Sequence, residues 1–134
     1  MAKCEVCGGL AEVHHIVNKC EGGIDYPLNY KYLCSKHHRG KNGPHKNWRL
    51  DVKYKLELQN ELKEILVKDY YNICELERLL HINKNKLKRM FKSNKTYKEG
   101  YKREDIIFKL MGEKIYNHNM LEIYDDFIPL LVGQ

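Results

Sequence analysis

Apolar and polar residues follow three rhythms along this chain, and each predicts a different kind of structure. From Cys4 to about residue 50, large aliphatics are sparse and come in short clusters. Leu10–Val13 is a short apolar-rich run that predicts a strand carrying His14 and His15 at its end. Tyr30–Leu33 predicts a second strand, and Asn18–Pro27 between them a loop, broken by Gly22, Gly23 and Pro27. Ser35 is placed to cap a short helix holding His37 and His38, which Gly40, Gly43 and Pro44 keep from running on.

A helical period takes over at Tyr54. Tyr54, Leu58, Leu62, Ile65 and Leu66 form one stripe, with Glu57, Glu61, Lys63 and Glu64 off it, so Tyr54–Lys68 predicts a helix that packs over the preceding segment. Tyr70–Phe91 predicts a helix-turn-helix. Asn72 and Glu75 have the spacing of a capping box, Leu76, Leu79 and Leu80 supply an inner face, and Cys74 reads as a small core residue. His81-Ile82-Asn83 is the turn, with Asn83 capping a second helix whose buried face is Leu87, Met90 and Phe91. After a polar connector, Asn94–Gly100, a third helix is predicted over Arg103–Met111, stopped by Gly112. Residues 113–134 alternate acids with Met120, Leu121, Ile123, Tyr124, Phe127, Ile128, Leu130 and Leu131. That much apolar surface either closes over the helical part or forms a homodimer surface.

Composition sharpens this picture at two points. The 134 residues are 43% hydrophobic, yet the first 50 are too poor in aliphatics to build a core, so a bound metal must substitute for one. An odd count of five cysteines, three of them in metal spacing, argues against disulfides and for a reducing, cytoplasmic compartment. No signal-like start is apparent at Met1, and no apolar stretch is long enough for a membrane span. The net charge of +6 is unevenly placed. Residues 83–103 carry nine Lys or Arg against Glu99, whereas 104–134 carry six acids against Lys109 and Lys114. Lys84, Lys88 and Lys92 fall along one side of the second helix of the helix-turn-helix, joined by Lys86 and Arg89, as a phosphate-gripping helix requires.

The chemistry lies in the first segment. Cys4-x-x-Cys7 and Cys34-x-x-His37 are two-residue pairs separated by 26 residues, the spacing at which two knuckles share one tetrahedral Zn²⁺. Cys20 falls outside both pairs and is read as a bystander. With four ligands supplied, His14, His15, Asn29 and His38 form a second polar cluster with work of its own. Adjacent residues on a strand point to opposite sides, so His14 and His15 should not do the same job.

Cys4-x-x-Cys7, His14-His15-Ile16, Gly22-Gly23, Asn29-Tyr30-x-x-Leu33-Cys34 and Cys34-x-x-His37-His38 together resemble the HNH endonuclease family, over residues 4 to about 48. His37 stands where many members have cysteine, and Tyr30 where leucine is commoner. The resemblance implies a small zinc-stabilised ββα-metal module over residues 1–50; with the patterns read above, a connecting helix over 51–68, a mainly α-helical, helix-turn-helix-like basic domain over 69–112 and an acidic-apolar tail over 113–134, the expected fold class is α+β. It also implies roles. His14 and His38 hold a catalytic Mg²⁺ or other divalent ion, His15 is the general base, and Asn29 braces the loop and helps hold the ring of the base. The last metal position has two candidates, Asn42 and His45, of which His45 is preferred, reached by a turn at Gly43-Pro44. The implied activity is metal-dependent DNA hydrolysis, as in phage or mobile-element nucleases. The alternatives are a non-catalytic protein on the same scaffold, which binds a protein partner through its acidic tail, and a DNA-binding regulator.

Overall fold

The computed structural model describes residues 2–122, and the apolar tail residues from Ile123 onward lie outside that range. The chain is a mixture of helices and two small sheets. Strand β1 (Glu12–His15) pairs with β2 (Tyr30–Leu33), and the short helix α1 (Ser35–Arg39) follows. A long helix, α2 (Trp48–Ile65), leads to β3 (Tyr70–Tyr71), α3 (Ile73–Leu80), α4 (Lys84–Met90), β4 (Tyr101–Lys102) and α5 (Arg103–Leu110). No helix among the described residues is long and apolar enough to cross a membrane.

The chain divides into two compact units. Among the described residues, one comprises 2–14, 31–57 and 116–122; the other comprises 15–30 and 58–115. This division does not follow the expected boundaries at residues 50 and 68. The loop between β1 and β2 belongs with the helical part because Gly112, just past α5, approaches the Glu21 carbonyl too closely for any side chain. Among the described residues, the apolar core of the first unit is thin. Cys4, Leu33, Val52, Tyr54, Leu56 and Tyr116 are buried there, beside the polar His14 and His38. The second unit has an ordinary aliphatic core, including Leu62, Leu66, Leu76, Leu80, Ile82, Leu87, Phe91, Ile106 and Leu110. Among the described residues, the first unit is therefore the one that buries less apolar surface.

Local chemistry explains where the elements begin and end. β1 starts two residues later than Leu10, and the first strand therefore includes both histidines. Helix α1 has Cys34 in the capping position, not Ser35, with no side-chain cap. At Gly43 an added Cβ would lie 2.4 Å from the His38 carbonyl, so glycine lets the chain fold back against α1 and return His45 toward it. Helix α2 starts at Trp48, not Tyr54, because the Asn47 side chain accepts the Leu50 N–H at 3.1 Å, an end-cap the apolar period does not register. In α3 the capping box forms as expected: Asn72 accepts from Glu75 N–H at 2.9 Å and Glu75 accepts from Asn72 N–H at 3.0 Å. Asn83 caps α4 by accepting from Asn85 N–H.

Three expectations need correction. Leu79 is exposed, because Leu76 and Leu80, one turn apart, already fill the inner face of α3. Cys74 is also exposed, since it lies two positions from Leu76 and so on the opposite side of the helix. Met90 is half-buried, while Phe91 is fully buried. The antiparallel pair β3–β4, with Tyr70 opposite Lys102 and Tyr71 opposite Tyr101, is unforeseen, because two-residue strands carry no readable period. Replacing Asn72 with Ala removes one half of the capping box. It should cost about 1 kcal/mol, read as a lower urea midpoint with an unchanged slope.

Candidate metal centres

The two predicted knuckles converge. Cys4 is held in a tight turn by its N–H to the Gly9 carbonyl at 2.7 Å, and Gly8 N–H returns to the Cys4 carbonyl at 2.9 Å. Cys34 and His37 sit one turn apart at the start of α1. Cys7 Sγ and Cys34 Sγ are 3.7 Å apart, Cys4 Sγ and His37 Nδ1 3.7 Å, and Cys34 Sγ and His37 Nδ1 3.2 Å. All four donor atoms lie within 4.8 Å of one another. Tetrahedral ligands about 2.0–2.3 Å from Zn²⁺ stand roughly 3.3–3.8 Å apart, so this group could hold one such ion. Cys20 lies exposed and outside the group.

The thiols respond to one another. Burial pushes the Cys4 thiol up, but backbone N–H groups at Cys34, Cys7 and Val6, with His37, outweigh it and bring it down to about 6. The Gly9 N–H favours the Cys7 thiolate, yet the neighbouring Cys34 and Cys4 sulfurs prevail and raise its pKa. Cys4 thus favours the thiolate and Cys7 resists it, and a cation bound between them would favour both thiolates.

The second cluster gathers His14, His38 and His45, whose ligand atoms also lie within 4.8 Å of one another. His14 and His38 are buried, and His45 is the more open member. His38 Nε2 and His45 Nε2 are 2.8 Å apart, close to the roughly 3 Å separation of two ligands set at right angles about 2.1 Å from an ion. Glu12 takes the other nitrogen of His38: Nδ1 donates to its carboxylate at 2.5 Å. That bond puts the proton on Nδ1 and leaves the Nε2 lone pair facing the cluster. The same bond, with Arg39 nearby, holds the Glu12 carboxyl below its ordinary range. Burial above all lowers the pKa of His45 and favours its neutral ring, with a lone pair available too. Asn42, the other candidate for this position, lies exposed in the preceding loop.

His15 has different company. Its Nε2 donates to Asp25 Oδ1 at 2.6 Å, and the edge of its ring meets Tyr30, with centroids 5.5 Å apart. Asp25 is held below its ordinary carboxyl range chiefly by this bond, so it is an acceptor at neutral pH. In a neutral ring whose Nε2 donates to Asp25, the lone pair lies on Nδ1. Asn29 is buried and braces the loop: its Oδ1 accepts Val17 N–H at 2.8 Å, and its Nδ2 donates to the Val17 and Ile24 carbonyls, each at 3.0 Å. Its bonds therefore go to the loop backbone, while Asp25 and Tyr30 hold the His15 ring. On the helical side, Lys84, Lys88, Arg89 and Lys92 are exposed along or just beyond α4, and Lys86 is half-buried.

Glu12 and Asp25 are the site residues that the motif reading missed. Glu12 was findable, since it lies two positions before His14 on a strand and so on the same face. Asp25 sits in a loop and obeys no spacing rule. The chain matches no family model, no curated protein and no solved structure.

Two outcomes follow from this geometry. Cys4→Ser, or chelation of zinc from the wild-type chain, should disorder the first unit, because structural zinc sites supply on the order of 10 kcal/mol; a zinc-free sample with fully dispersed amide resonances would contradict this. The His15–Asp25 pair should be acid-sensitive. Asp25 sits below its ordinary 3.8 in the fold, so the stabilisation it provides is complete above that value and disappears as pH falls through the folded one. The gap in urea midpoint between wild type and Asp25→Asn should be small, because the carboxylate is 41% exposed. It should close on acidification, and a gap that widens there would reverse the sign.

Proposed function

We propose that the chain is a metal-dependent, HNH-type DNA endonuclease. The observation that carries this reading is a three-histidine cluster at His14, His38 and His45, followed directly in the chain by a histidine whose Nε2 is occupied by a carboxylate. His14 and His15 are consecutive on β1, so one covalent step separates the ligand from the base.

Hydrolysis of a phosphodiester requires a proton to leave the attacking water as its oxygen bonds to phosphorus and the bond to O3′ breaks. His15 accepts that proton at Nδ1. Asp25, bonded to the opposite nitrogen, holds the ring in one tautomer and stabilises the imidazolium that forms. An ion held by His14, His38 and His45 would supply positive charge against the phosphoryl oxygens and the leaving O3′. Glu12 fixes the donor atom of His38 for that ion. Imidazole donors favour transition ions over Mg²⁺, so Mn²⁺ should support faster cleavage. The Lys84–Lys92 face would grip the phosphate backbone independently of sequence.

The test is plasmid cleavage with Mn²⁺ and with Mg²⁺. Wild type should convert supercoiled DNA, and His15→Ala should be slower by roughly 10²–10⁴-fold at nearly unchanged DNA affinity. An intact plasmid bound by the wild-type chain would favour a DNA-binding regulator instead. An intact plasmid that is not bound would favour a protein-interaction role.

A further inference from the structure

The second unit contains a cleft that draws two of its lining residues, Lys86 and Arg89, from the basic α4 face. It has a volume of about 540 Å³ and is lined by the loop at Glu21, Gly22 and Ile24, by Lys86, Arg89 and Met90 of α4, and by the end of α5 at Lys109, Gly112 and Glu113. One wall is a backbone seam. Gly112 adopts φ 76°, and an added Cβ there would lie 2.2 Å from the Glu21 carbonyl and 3.2 Å from Val17 Cγ1. The loop and the end of α5 therefore meet with no side chain between them, which leaves the space beside the seam to the cationic side chains.

The charges in the cleft are not equivalent. Lys109 is paired with Glu113 at 2.7 Å, and Glu21 accepts the Asn18 N–H at 3.1 Å. Lys86 and Arg89 make no ion pair among the described residues. Two unengaged cations thus face a cleft whose rim carries two acids. This balance suits a ligand with one negative charge and disfavours a polyphosphate, which the acids would repel. Ile24 and Met90, both half-buried, add an apolar surface that inorganic phosphate cannot use. The volume lies within the roughly 300–1,000 Å³ typical of small-ligand clefts.

We infer that this cleft binds one nucleotide of a single-stranded DNA segment, with its phosphodiester on Lys86 and Arg89 and its base against Ile24 and Met90. Guanidinium and ammonium groups suit the phosphate, and the base needs only an apolar face. The choice of DNA as the strand rests on the nuclease reading, whereas the demand for a monoanion with an apolar part rests on the cleft alone.

The test is a pair of titrations of the full-length, zinc-loaded chain followed by amide and methyl spectra, one with a short oligothymidylate and one with inorganic phosphate. The oligothymidylate should shift the Ile24, Lys86 and Arg89 amides and the Met90 methyl, and Arg89→Ala should weaken it by about tenfold with an otherwise unchanged spectrum. Phosphate should bind far more weakly and leave the Met90 methyl in place. Equal responses to the two probes would overturn the proposal in favour of a bare anion site. Shifts confined to the outward Lys84 and Lys88 would overturn it in favour of a nonspecific surface. A chain that shows the expected shifts but cuts no plasmid would retain this cleft and lose the nuclease reading.

Discussion

Three thiols and an imidazole lie within 4.8 Å of one another in a unit whose described residues bury few aliphatic side chains. Charged, the sulfurs repel; neutral, they leave a polar knot where a core should be. A divalent cation bound there would convert this liability into the strongest contact in the unit. The rest of the first unit would then depend on it, because it would tie the turn at Cys4–Cys7 to the start of α1. Helix α1 is five residues long and has no side-chain cap, so it has little intrinsic stability. Yet it carries both His37 and His38, and its position fixes one ligand of each cluster.

Orientation in the histidine sites comes from carboxylates. Glu12 occupies Nδ1 of His38, and Asp25 occupies Nε2 of His15. The two bonds engage opposite ring nitrogens and so leave a different nitrogen open in each ring. Under the proposed function, His38 would donate a lone pair to a cation and His15 would take up a proton. The alternation of β1 then turns neighbouring rings to different sides, with His14 buried and His15 half-exposed. A two-residue sequence, His14-His15, thereby supplies two chemically distinct groups.

Much of this was legible where the controlling interaction is local. Cys-x-x-Cys and Cys-x-x-His spacing, the Asn72–Glu75 box, and β2 depend on residues within one turn or one strand, and they form where the residues predict. The start of α2 was misplaced because a single side chain, Asn47, sets it six residues before the apolar stripe begins. Leu79 and Cys74 were misassigned because apolar character names candidates for a face but not how many the face admits. Asp25 and the β3–β4 pair were invisible for another reason: each is defined by a partner distant in sequence, ten residues away for Asp25 and thirty-two between Tyr70 and Lys102. His45 was an open choice in the sequence, since Asn42 is nearer His38. Its place near His38 follows from the backbone approach at Gly43.

The central claim is that one ion is shared by Cys4, Cys7, Cys34 and His37, and that this ion organises the unit bearing the histidine cluster. X-ray absorption at the zinc edge, on protein loaded with a single equivalent of zinc, tests it most directly. The expected spectrum has three sulfur neighbours at about 2.3 Å and one nitrogen at about 2.0–2.1 Å. A spectrum of nitrogen and oxygen neighbours without sulfur would contradict the account, because the first equivalent of metal would then bind elsewhere.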